Sequence, residues 1–270
     1  MAEPTRPTPL RALATVTALE HEGGTNHRLR LDVPGWPGSE PGQFAMLSPG
    51  EVGGTLRRDP LLPRPMAVYR EAGSEVEILF KVHGRGTALL AELRPKAQVR
   101  IVGPLGRGFA DPAPGQRAVL VAGGTGIASV YTLAQRLRDR GIGVRVCLGA
   151  RSADDLMGDA DFEALGVPVA IATEDGSRGH RGRVTELLAP ELEDPTVCVY
   201  ACGPTPMMAA AHTLAAEAGR DCWVSLENPM ACGFGVCLGC AAPLREGGFA
   251  LVCRDGPVFR GADVAWAGLP

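Results

Sequence analysis

The chain has 270 residues, of which 45% are hydrophobic and 21% charged, so it is long enough for about two globular domains and can bury a core. Its formal net charge of −3 argues against a generally basic surface of the kind that binds nucleic acid. No stretch approaches the roughly 20 apolar residues that cross a bilayer, and the N-terminus lacks the apolar core of a signal peptide. We therefore expect a globular protein with no nucleic-acid partner, no membrane span and a cytoplasmic location.

The first part of the chain predicts an all-β unit. Residues 1–9 have the composition of a polar, proline-rich tail, and residues 10–112 contain short alternating apolar runs separated by turn residues. The runs are ATVTAL, HRLRLDV, QFAMLS, PMAVYR, EVEILFKV and AQVRIVG. With one helical candidate, at residues 86–93, this pattern is typical of an antiparallel barrel or sandwich.

A different pattern begins after the link DPAPGQ and continues through residues 113–222. Residues 118–122 are wholly apolar, and GVRVCLGA, PVAIAT and TVCVYACG are further apolar runs suited to buried parallel strands. Helices are predicted at residues 127–140 and 206–218. Strands that alternate with helices indicate a doubly wound parallel sheet, which leaves residues 223–270 as a small third segment.

Four of the eight cysteines lie in this last segment, and their spacing points to a metal centre. Cys232, Cys237 and Cys240 form a C-x4-C-x2-C run, and Cys253 follows after twelve residues. This is the plant-type ligand spacing for a [2Fe–2S] cluster, and disulfides rarely persist in a reducing cytoplasm. Zinc sites with four cysteines usually use two C-x2-C pairs, of which only one is present here. Unrelated core cysteines are a third interpretation.

Two loops are candidates for a dinucleotide site. The first lies between an apolar strand and a helix start and consists of Gly123, Gly124, Thr125 and Gly126. Its backbone N–H groups could cradle a pyrophosphate, although the loop is a weak variant of the dinucleotide fingerprint and an ordinary tight turn would also explain it. The second follows a later strand, at the edge where open α/β sheets bind ligands, and consists of Cys202, Gly203 and Pro204. For Cys202 alone, a core cysteine is an equally acceptable interpretation.

A weaker candidate for a phosphate site lies in the all-β part. It combines a strand made of Arg64, Pro65, Met66 and Ala67 with a helix start that contains Gly86 and Thr87. An arginine and a helix N-terminus capped by threonine would suit a phosphate. A surface arginine beside an ordinary helix start would explain the same residues.

Together these motifs resemble the ferredoxin–NADP reductase superfamily, and within it the electron transfer subunits of NAD-dependent (class 1B) dihydroorotate dehydrogenases. The resemblance runs from about residue 10 to residue 260 and includes GPLGRGF, GARSADDL, TEDGSRGHRG and YACGPTPMM. Its most specific part is the ending, SLENPMACGFGVCLGCAAPL followed by VCRDGPVF. It implies an antiparallel flavin-binding barrel, a doubly wound nucleotide domain and a small iron–sulfur segment.

The resemblance also implies roles for individual residues. FAD would contact the strand Arg64 to Ala67, with its pyrophosphate at Gly86 and Thr87, and would make a second contact with Leu79, Phe80 and Lys81. Residues 123–126 and 202–204 would frame NAD. Ala67 stands where the family usually has a serine that hydrogen-bonds near the reactive flavin edge, and Ser129 stands where it often has proline. The residues at 151–152, Arg and Ser, leave NAD and NADP undecided.

The function implied is an electron relay. Electrons would leave dihydroorotate at an FMN-containing catalytic subunit, cross the [2Fe–2S] cluster, reach FAD in this chain and reduce NAD+ during pyrimidine biosynthesis, in a heterotetramer with two copies of each subunit. No histidine or carboxylate pair in the sequence points to a catalytic acid or base. The alternatives are an NAD(P)H reductase that serves ferredoxin, a hydrogenase or an oxygenase, and a zinc-stabilised nucleotide-binding or redox-sensing module.

Overall fold

A computed structural model describes residues 8–52, 55–56 and 59–269 of the chain. Several strands of its first half alternate buried and partly exposed residues, as a sheet with one buried face requires. The strands are β1 (Leu10–Gly23), β2 (Asn26–Asp32), β3 (Phe44–Ser48), β4 (Glu51–Val52), β5 (Thr55–Leu56), β6 (Arg64–Ala67), β7 (Arg70–Ala72), β8 (Glu75–Lys81) and β9 (Gln98–Leu105). One short helix, α1 (Arg85–Ala91), lies between β8 and β9.

Seven of these strands form one antiparallel sheet, in the order β6-β3-β9-β1-β2-β8-β7, which closes on itself. Its edge strands β6 and β7 are consecutive in the chain and are separated only by Val68 and Tyr69. The Val68 N–H donates to Gln43 O at 3.1 Å on one side, and the Tyr69 N–H donates to Glu77 O at 3.0 Å on the other. The predicted barrel is confirmed, and the run PMAVYR, predicted as one strand, is divided between β6 and β7 at the point of closure.

The next part of the chain forms a parallel sheet with helices on both faces. Val119 and Val121 belong to one apolar core, and Leu120 and Ala122 belong to the other. The strands are β10 (Arg117–Gly123), β11 (Val144–Ala150), β12 (Val169–Thr173), β13 (His180–Arg181), β14 (Val197–Cys202) and β15 (Cys222–Ser225). The helices are α2 (Ile127–Asp139), α3 (Asp159–Ala164), α4 (Val184–Leu188) and α5 (Thr205–Glu217). No helix in the described ranges is long and apolar enough to cross a membrane.

The order of this sheet is β13-β12-β11-β10-β14-β15, followed by an antiparallel edge strand from the last segment. The strand order therefore reverses between β10 and β14, and in folds of this kind the connections that leave two such strands go to opposite faces of the sheet and leave a ligand-binding crevice at its carboxyl edge. The doubly wound sheet predicted from the apolar runs is confirmed.

The last segment is attached to the parallel sheet rather than separate from it. Its strands are β16 (Ala241–Pro243), β17 (Phe249–Leu251) and β18 (Val258–Arg260). The first two form a ribbon, whereas β18 pairs with β15 over residues 223–225. The expected boundary between residues 222 and 223 thus falls inside β15.

A buried ion network joins the barrel to α3. The Arg28 side chain, only 7% exposed, donates to Glu22 at 2.5 Å, to Glu77 at 3.0 Å and to Asp161 at 2.6 Å. The Tyr69 hydroxyl also donates to Asp161, at 2.7 Å. Although burial alone would raise the pKa of Asp161, the hydrogen bonds from Tyr69 and Arg28 hold it below its usual value. Arg28 therefore neutralises carboxylates from both parts of the chain.

Replacing Arg28 tests this network. Arg28→Met leaves partly buried carboxylates without a cation, and we expect the free energy of unfolding to fall by about 3–5 kcal/mol. Arg85→Met removes an arginine from an exposed pair with Asp59 and should change it by less than about 0.5 kcal/mol. Urea denaturation of both variants makes the measurement. Equal stability of the two variants would contradict a structural role for the network.

Candidate functional site

A cleft of about 1000 Å³ lies between the barrel and the carboxyl edge of the parallel sheet. Most of the cofactor-binding residues predicted from the sequence line it. They are Arg64, Pro65, Met66, Ala67, Leu79, Phe80, Lys81, Thr87, Gly123, Gly124, Thr125, Gly203 and Pro204. The three other predicted cofactor-binding residues, Gly86, Gly126 and Cys202, are not part of its lining.

Gly86 accommodates the side chain of Arg64. A methyl group at Gly86 would lie 2.4 Å from Arg64 Nε, so the guanidinium rests directly on the first turn of α1. Arg64 Nη1 also donates to Leu62 O at 2.8 Å, which orients the guanidinium. The absence of a side chain at Gly86 thus places a positive charge beside a helix start at the wall of the cleft.

Thr87 does not cap α1. The N-cap residue is Gly84, and Thr87 lies within the first turn. Its hydroxyl accepts a hydrogen bond from the His83 N–H at 2.7 Å and lies 3.1 Å from Gly84 O, as a donor to it. The threonine cap expected from the sequence is therefore wrong, because the hydroxyl is used to close the loop that precedes the helix.

The two predicted dinucleotide loops meet backbone to backbone. A methyl group at Gly126 would lie 2.2 Å from Cys202 O, and one at Gly203 would lie 2.9 Å from Gly123 O. Gly124 has φ +55°, a left-handed conformation that favours glycine. The glycines let the ends of β10 and β14 approach closely, and this contact shapes the sheet side of the cleft.

Cys202 is a buried thiol beneath these loops. Its Sγ lies 3.5 Å from Ser225 O, as a donor to it, and burial raises its pKa to about 12. A thiol of that kind stays protonated at neutral pH and is a poor nucleophile. Cys202 therefore supports the wall of the cleft, and the chemistry of its thiol is not used.

The barrel and the sheet are also joined across the cleft. Lys81, at the end of β8, forms an ion pair with the Asp155 carboxylate in the turn after β11. Asn26 Nδ2 donates to Asp155 O at 3.1 Å, which fixes the same turn to the start of β2. Arg151, earlier in this turn, lines the cleft as well.

Glu227 is one of several lining residues to which the sequence analysis gave no role. Glu227 lies just after β15, two residues beyond Ser225, and its exposed side chain lines the cleft. The walls of the cleft partly desolvate its carboxyl and raise the pKa, and no described side chain forms a hydrogen bond or ion pair with it. A charged residue directly after a sheet strand, at the carboxyl edge, is the signal that could have identified it.

The four predicted metal ligands lie beside the barrel. Cys240 Sγ and Cys253 Sγ are 3.2 Å apart, and the Gly235 N–H donates to Cys253 Sγ at 3.1 Å. A methyl group at Gly233 would lie 2.6 Å from Met46 Cγ, so the cluster loop, residues 232–240, packs directly on β3. Cys240 and Cys253 are buried, Cys232 is half-buried and Cys237 is exposed.

The electrostatics of the loop fit an anionic sulfur centre. Although burial alone would raise the pKa of Cys232, the backbone N–H groups of Cys237, Phe234 and Val236 lower it to about 6. Burial and the hydrogen bond with the neighbouring Cys240 thiol raise the pKa of Cys253 to about 12. No group of three or more possible ligands within the described residues is already arranged as a metal site. The donor set and its N–H groups nevertheless fit an iron–sulfur cluster, which takes thiolate ligands.

Comparison with protein families and solved structures identifies the class of the protein. Residues 227–265 match the iron–sulfur cluster binding domain of dihydroorotate dehydrogenase B, and residues 120–213 match the oxidoreductase NAD-binding domain. The structure of an NADH-dependent reduced ferredoxin–NADP oxidoreductase is 28% identical, with a TM-score of 0.83 over 96% of this chain and 91% of that chain. The ferredoxin reductase of carbazole 1,9a-dioxygenase shares the fold, at 21% identity and a TM-score of 0.66 over 78% of this chain and 67% of that one. The protein is thus an oxidoreductase of the ferredoxin–NADP reductase type that carries an iron–sulfur domain.

Curated relatives identify the family to which the chain belongs within this class of oxidoreductases. The electron transfer subunit of dihydroorotate dehydrogenase B (NAD(+)) from Desulforamulus reducens is 39% identical over 232 residues, 84% of this chain and 87% of the relative. The subunit of the same name from Geobacillus thermodenitrificans is 40% identical over 232 residues, with the same coverage. The chain belongs to the family of dihydroorotate dehydrogenase B electron transfer subunits. The predicted family, its electron-transfer function and its cofactors FAD, a [2Fe–2S] cluster and NAD are confirmed.

Substitution of the cysteines tests the ligand set. Cys253→Ser should abolish the visible absorption and the bound iron of the cluster, because an iron ion loses a thiolate ligand. Cys222→Ser changes a buried thiol of β15 outside the set and should leave both intact. Iron analysis and absorption spectra of anaerobically purified proteins make the comparison. A full complement of iron in the Cys253 variant would exclude that residue as a ligand.

The contact between the loops of β10 and β14 gives a second test. Gly126→Ala places a methyl group against Cys202 O and forces the loops apart, so we expect about 1–3 kcal/mol lower stability and weaker NADH binding. Gly143→Ala, where the nearest atom is 3.3 Å away, should change both much less. Calorimetric titration with NADH and urea denaturation measure the two effects. Unchanged NADH affinity in Gly126→Ala would place the nucleotide elsewhere.

Proposed function

We propose that the chain carries electrons from an FMN-containing dihydroorotate dehydrogenase catalytic subunit, through its [2Fe–2S] cluster and FAD, to NAD+ in pyrimidine (UMP) biosynthesis. The proposal rests on one observation, which is that residues 227–232 contribute both to the cleft and to the cluster loop. Glu227 and Met230 line the cleft, and Cys232 begins the cluster loop. Five peptide steps span at most about 18 Å, so the two sites are neighbours.

Each wall of the cleft has a distinct role in this proposal. Arg64, Gly86 and Thr87 hold the flavin pyrophosphate, and the barrel strands on either side hold the ring through Ala67 and residues 79–81. Residues 123–126 and 203–204 hold the nicotinamide nucleotide on the sheet side. Bound flavin supplies the ability to exchange single electrons with the cluster and a hydride with NAD. The protein orients these groups and limits the access of water.

The exposed side of the cluster loop is the surface that we propose for the catalytic partner. Phe234, Val236 and Leu238 are 52%, 78% and 62% exposed, and they surround the exposed Cys237. Exposed apolar side chains grouped in this way mark interaction sites. The relatives' name, electron transfer subunit, describes a chain that serves another one. We extend this to a heterotetramer of two plus two subunits in the cytoplasm, where reducing conditions keep the four thiols available.

A second candidate function rests on the structural likeness to the ferredoxin–NADP oxidoreductase, which extends over 96% of this chain and includes the cluster segment. In that case the same relay would serve a different electron donor or acceptor, such as ferredoxin. The cofactors and the cleft would be unchanged, so the partner alone distinguishes the two functions.

Reconstitution distinguishes the two functions. With the catalytic subunit present, we expect orotate to form from dihydroorotate at the expense of NAD+, and we expect no orotate from this chain alone. Val236→Glu puts a charge on the proposed docking surface and should weaken subunit association at least about tenfold, whereas Leu13→Glu, on an exposed barrel position, should not. Analytical ultracentrifugation and NADH absorbance provide the two measurements. Efficient ferredoxin reduction with no response to the catalytic subunit would favour the second function.

A further inference from the structure

An ion pair lies directly beside one of the four cluster cysteines. Arg254 follows Cys253 in the chain, and its guanidinium donates to both carboxylate oxygens of Asp255, from Nε at 3.0 Å and from Nη2 at 3.2 Å. The Arg254 and Asp255 side chains are 59% and 32% exposed. Pairs with such exposure contribute little to stability, because water screens the charges and both side chains lose freedom. The pair is therefore of interest for where its charges lie, not for holding the fold together.

A tight turn fixes the two charges relative to the cysteine. Leu251 O accepts from the Arg254 N–H at 2.9 Å and from the Asp255 N–H at 2.7 Å, and the Leu251 N–H donates to Asp255 Oδ2 at 2.8 Å. Leu251 itself is buried in the core that contains Cys240 and Cys253. The turn is thus anchored at its base, and both charged side chains leave it next to the Cys253 ligand.

The stem of the Arg254 side chain also lies against the cluster loop. A methyl group at Gly235 would lie 2.9 Å from Arg254 Cδ, and Gly235 has φ +82°, a left-handed conformation that favours glycine. The Gly235 N–H donates to Cys253 Sγ at 3.1 Å. A single glycine residue thus contacts both a cluster ligand and the charged side chain, so Arg254 is close to the sulfur centre.

Charges at this position act on the reduction of the cluster. A [2Fe–2S] centre held by four thiolates is anionic, and each electron that it accepts adds one negative charge while no bond forms or breaks. A cation nearby stabilises the reduced form relative to the oxidised form, and an anion nearby does the reverse. Because the pair is partly exposed, salt weakens both effects at distances beyond about 8 Å.

We propose that Arg254 and Asp255 tune the reduction potential of the cluster, with Arg254 raising it and Asp255 lowering it. Both residues act through space and take no part in making or breaking bonds. Their charges oppose each other, so a change at either residue moves the potential while a change at both leaves it nearly unmoved. The potential decides how electrons are shared between the cluster and the flavin at equilibrium. This inference rests on the proposed function only for the direction in which electrons cross the cluster.

The midpoint potential of the cluster tests this proposal directly. It is measured by anaerobic titration with dithionite, followed by electron paramagnetic resonance, in the full chain with FAD and the cluster bound. Arg254→Gln should lower the potential and Asp255→Asn should raise it. Each should change the equilibrium between the two oxidation states about threefold, which is roughly 30 mV for a one-electron couple. Arg254→Lys keeps the positive charge and should stay near the wild-type value.

A double variant separates charge from shape. Replacing Arg254 by Gln and Asp255 by Asn together removes both charges, so its potential should return towards the wild-type value. Arg245→Gln is the matched control, since it removes an exposed arginine at the end of the β16–β17 ribbon that lies away from the cysteines. Its potential should equal that of the wild type. Added salt should reduce the shifts of both single variants.

Equal potentials in the wild type and both single variants at low salt would overturn the inference. Shifts of the same sign in Arg254→Gln and Asp255→Asn would also overturn it, because they would indicate altered packing of the turn rather than an effect of charge. If Arg254→Gln does not retain the cluster, the sign of the shift in Asp255→Asn decides. None of these measurements requires the catalytic subunit, so failure of the wild-type complex to reduce NAD+ with dihydroorotate counts against the proposed function alone.

Discussion

The arrangement of the sites depends on a backbone contact between Gly256–Pro257, in the last segment, and the two large sheets. Gly256 O accepts from the Arg107 N–H at the end of the barrel, and Pro257 O accepts from the Leu226 N–H beside the parallel sheet. Gly106 makes this contact possible, since a methyl group there would lie 2.6 Å from Pro257 Cδ. Gly256 and Pro257 thus hold the barrel and the sheet edge at a fixed separation. Pro257 itself also lines the cleft between them. This packing explains the sequence DGPVF at residues 255–259.

The same contact explains why one core serves three parts of the chain. Phe44, Met46 and Leu105 of the barrel belong to the same apolar cluster as Val199 of the sheet and Cys253 of the last segment. A shared core joins the three parts by direct packing, which holds the cleft and the cluster loop next to each other. That proximity matters for electron transfer, because it relies on orientation and proximity rather than on a moving side chain.

Features that depend on local patterns were predictable from the sequence, and those that depend on distant contacts were not. The apolar run at residues 118–122 predicts a buried strand because both faces of a parallel sheet are covered. The division of PMAVYR at Val68 was not visible, since it results from barrel closure against Gln43 and Glu77. The inclusion of β15 and β18 in one sheet depends on pairing between residues 223–225 and 258–260, which no local pattern records.

The candidate site divides in the same way. Glycine-rich loops and cysteine spacing point directly to residues 123–126 and the four thiols, because the chemistry requires those residue types. Thr87 was given the wrong local role, since a threonine near a helix start is a common cap and only the loop geometry shows that Gly84 takes that position. Glu227 received no role from the sequence, because its place in the lining of the cleft depends on how β15 packs against segments distant in the chain.

The uneven exposure of the four thiols gives the proposed relay a direction. Cys237 and its apolar neighbours face the solvent, whereas Cys240 and Cys253 lie in the core with Met46 and Leu105. That core also contains Phe44, which lines the cleft, so the buried side of the cluster loop faces the proposed flavin site. Electrons that enter at the open side from a docked partner need to cross only packed protein to reach the cleft. Burial of this side also excludes water from the path between the cluster loop and the cleft.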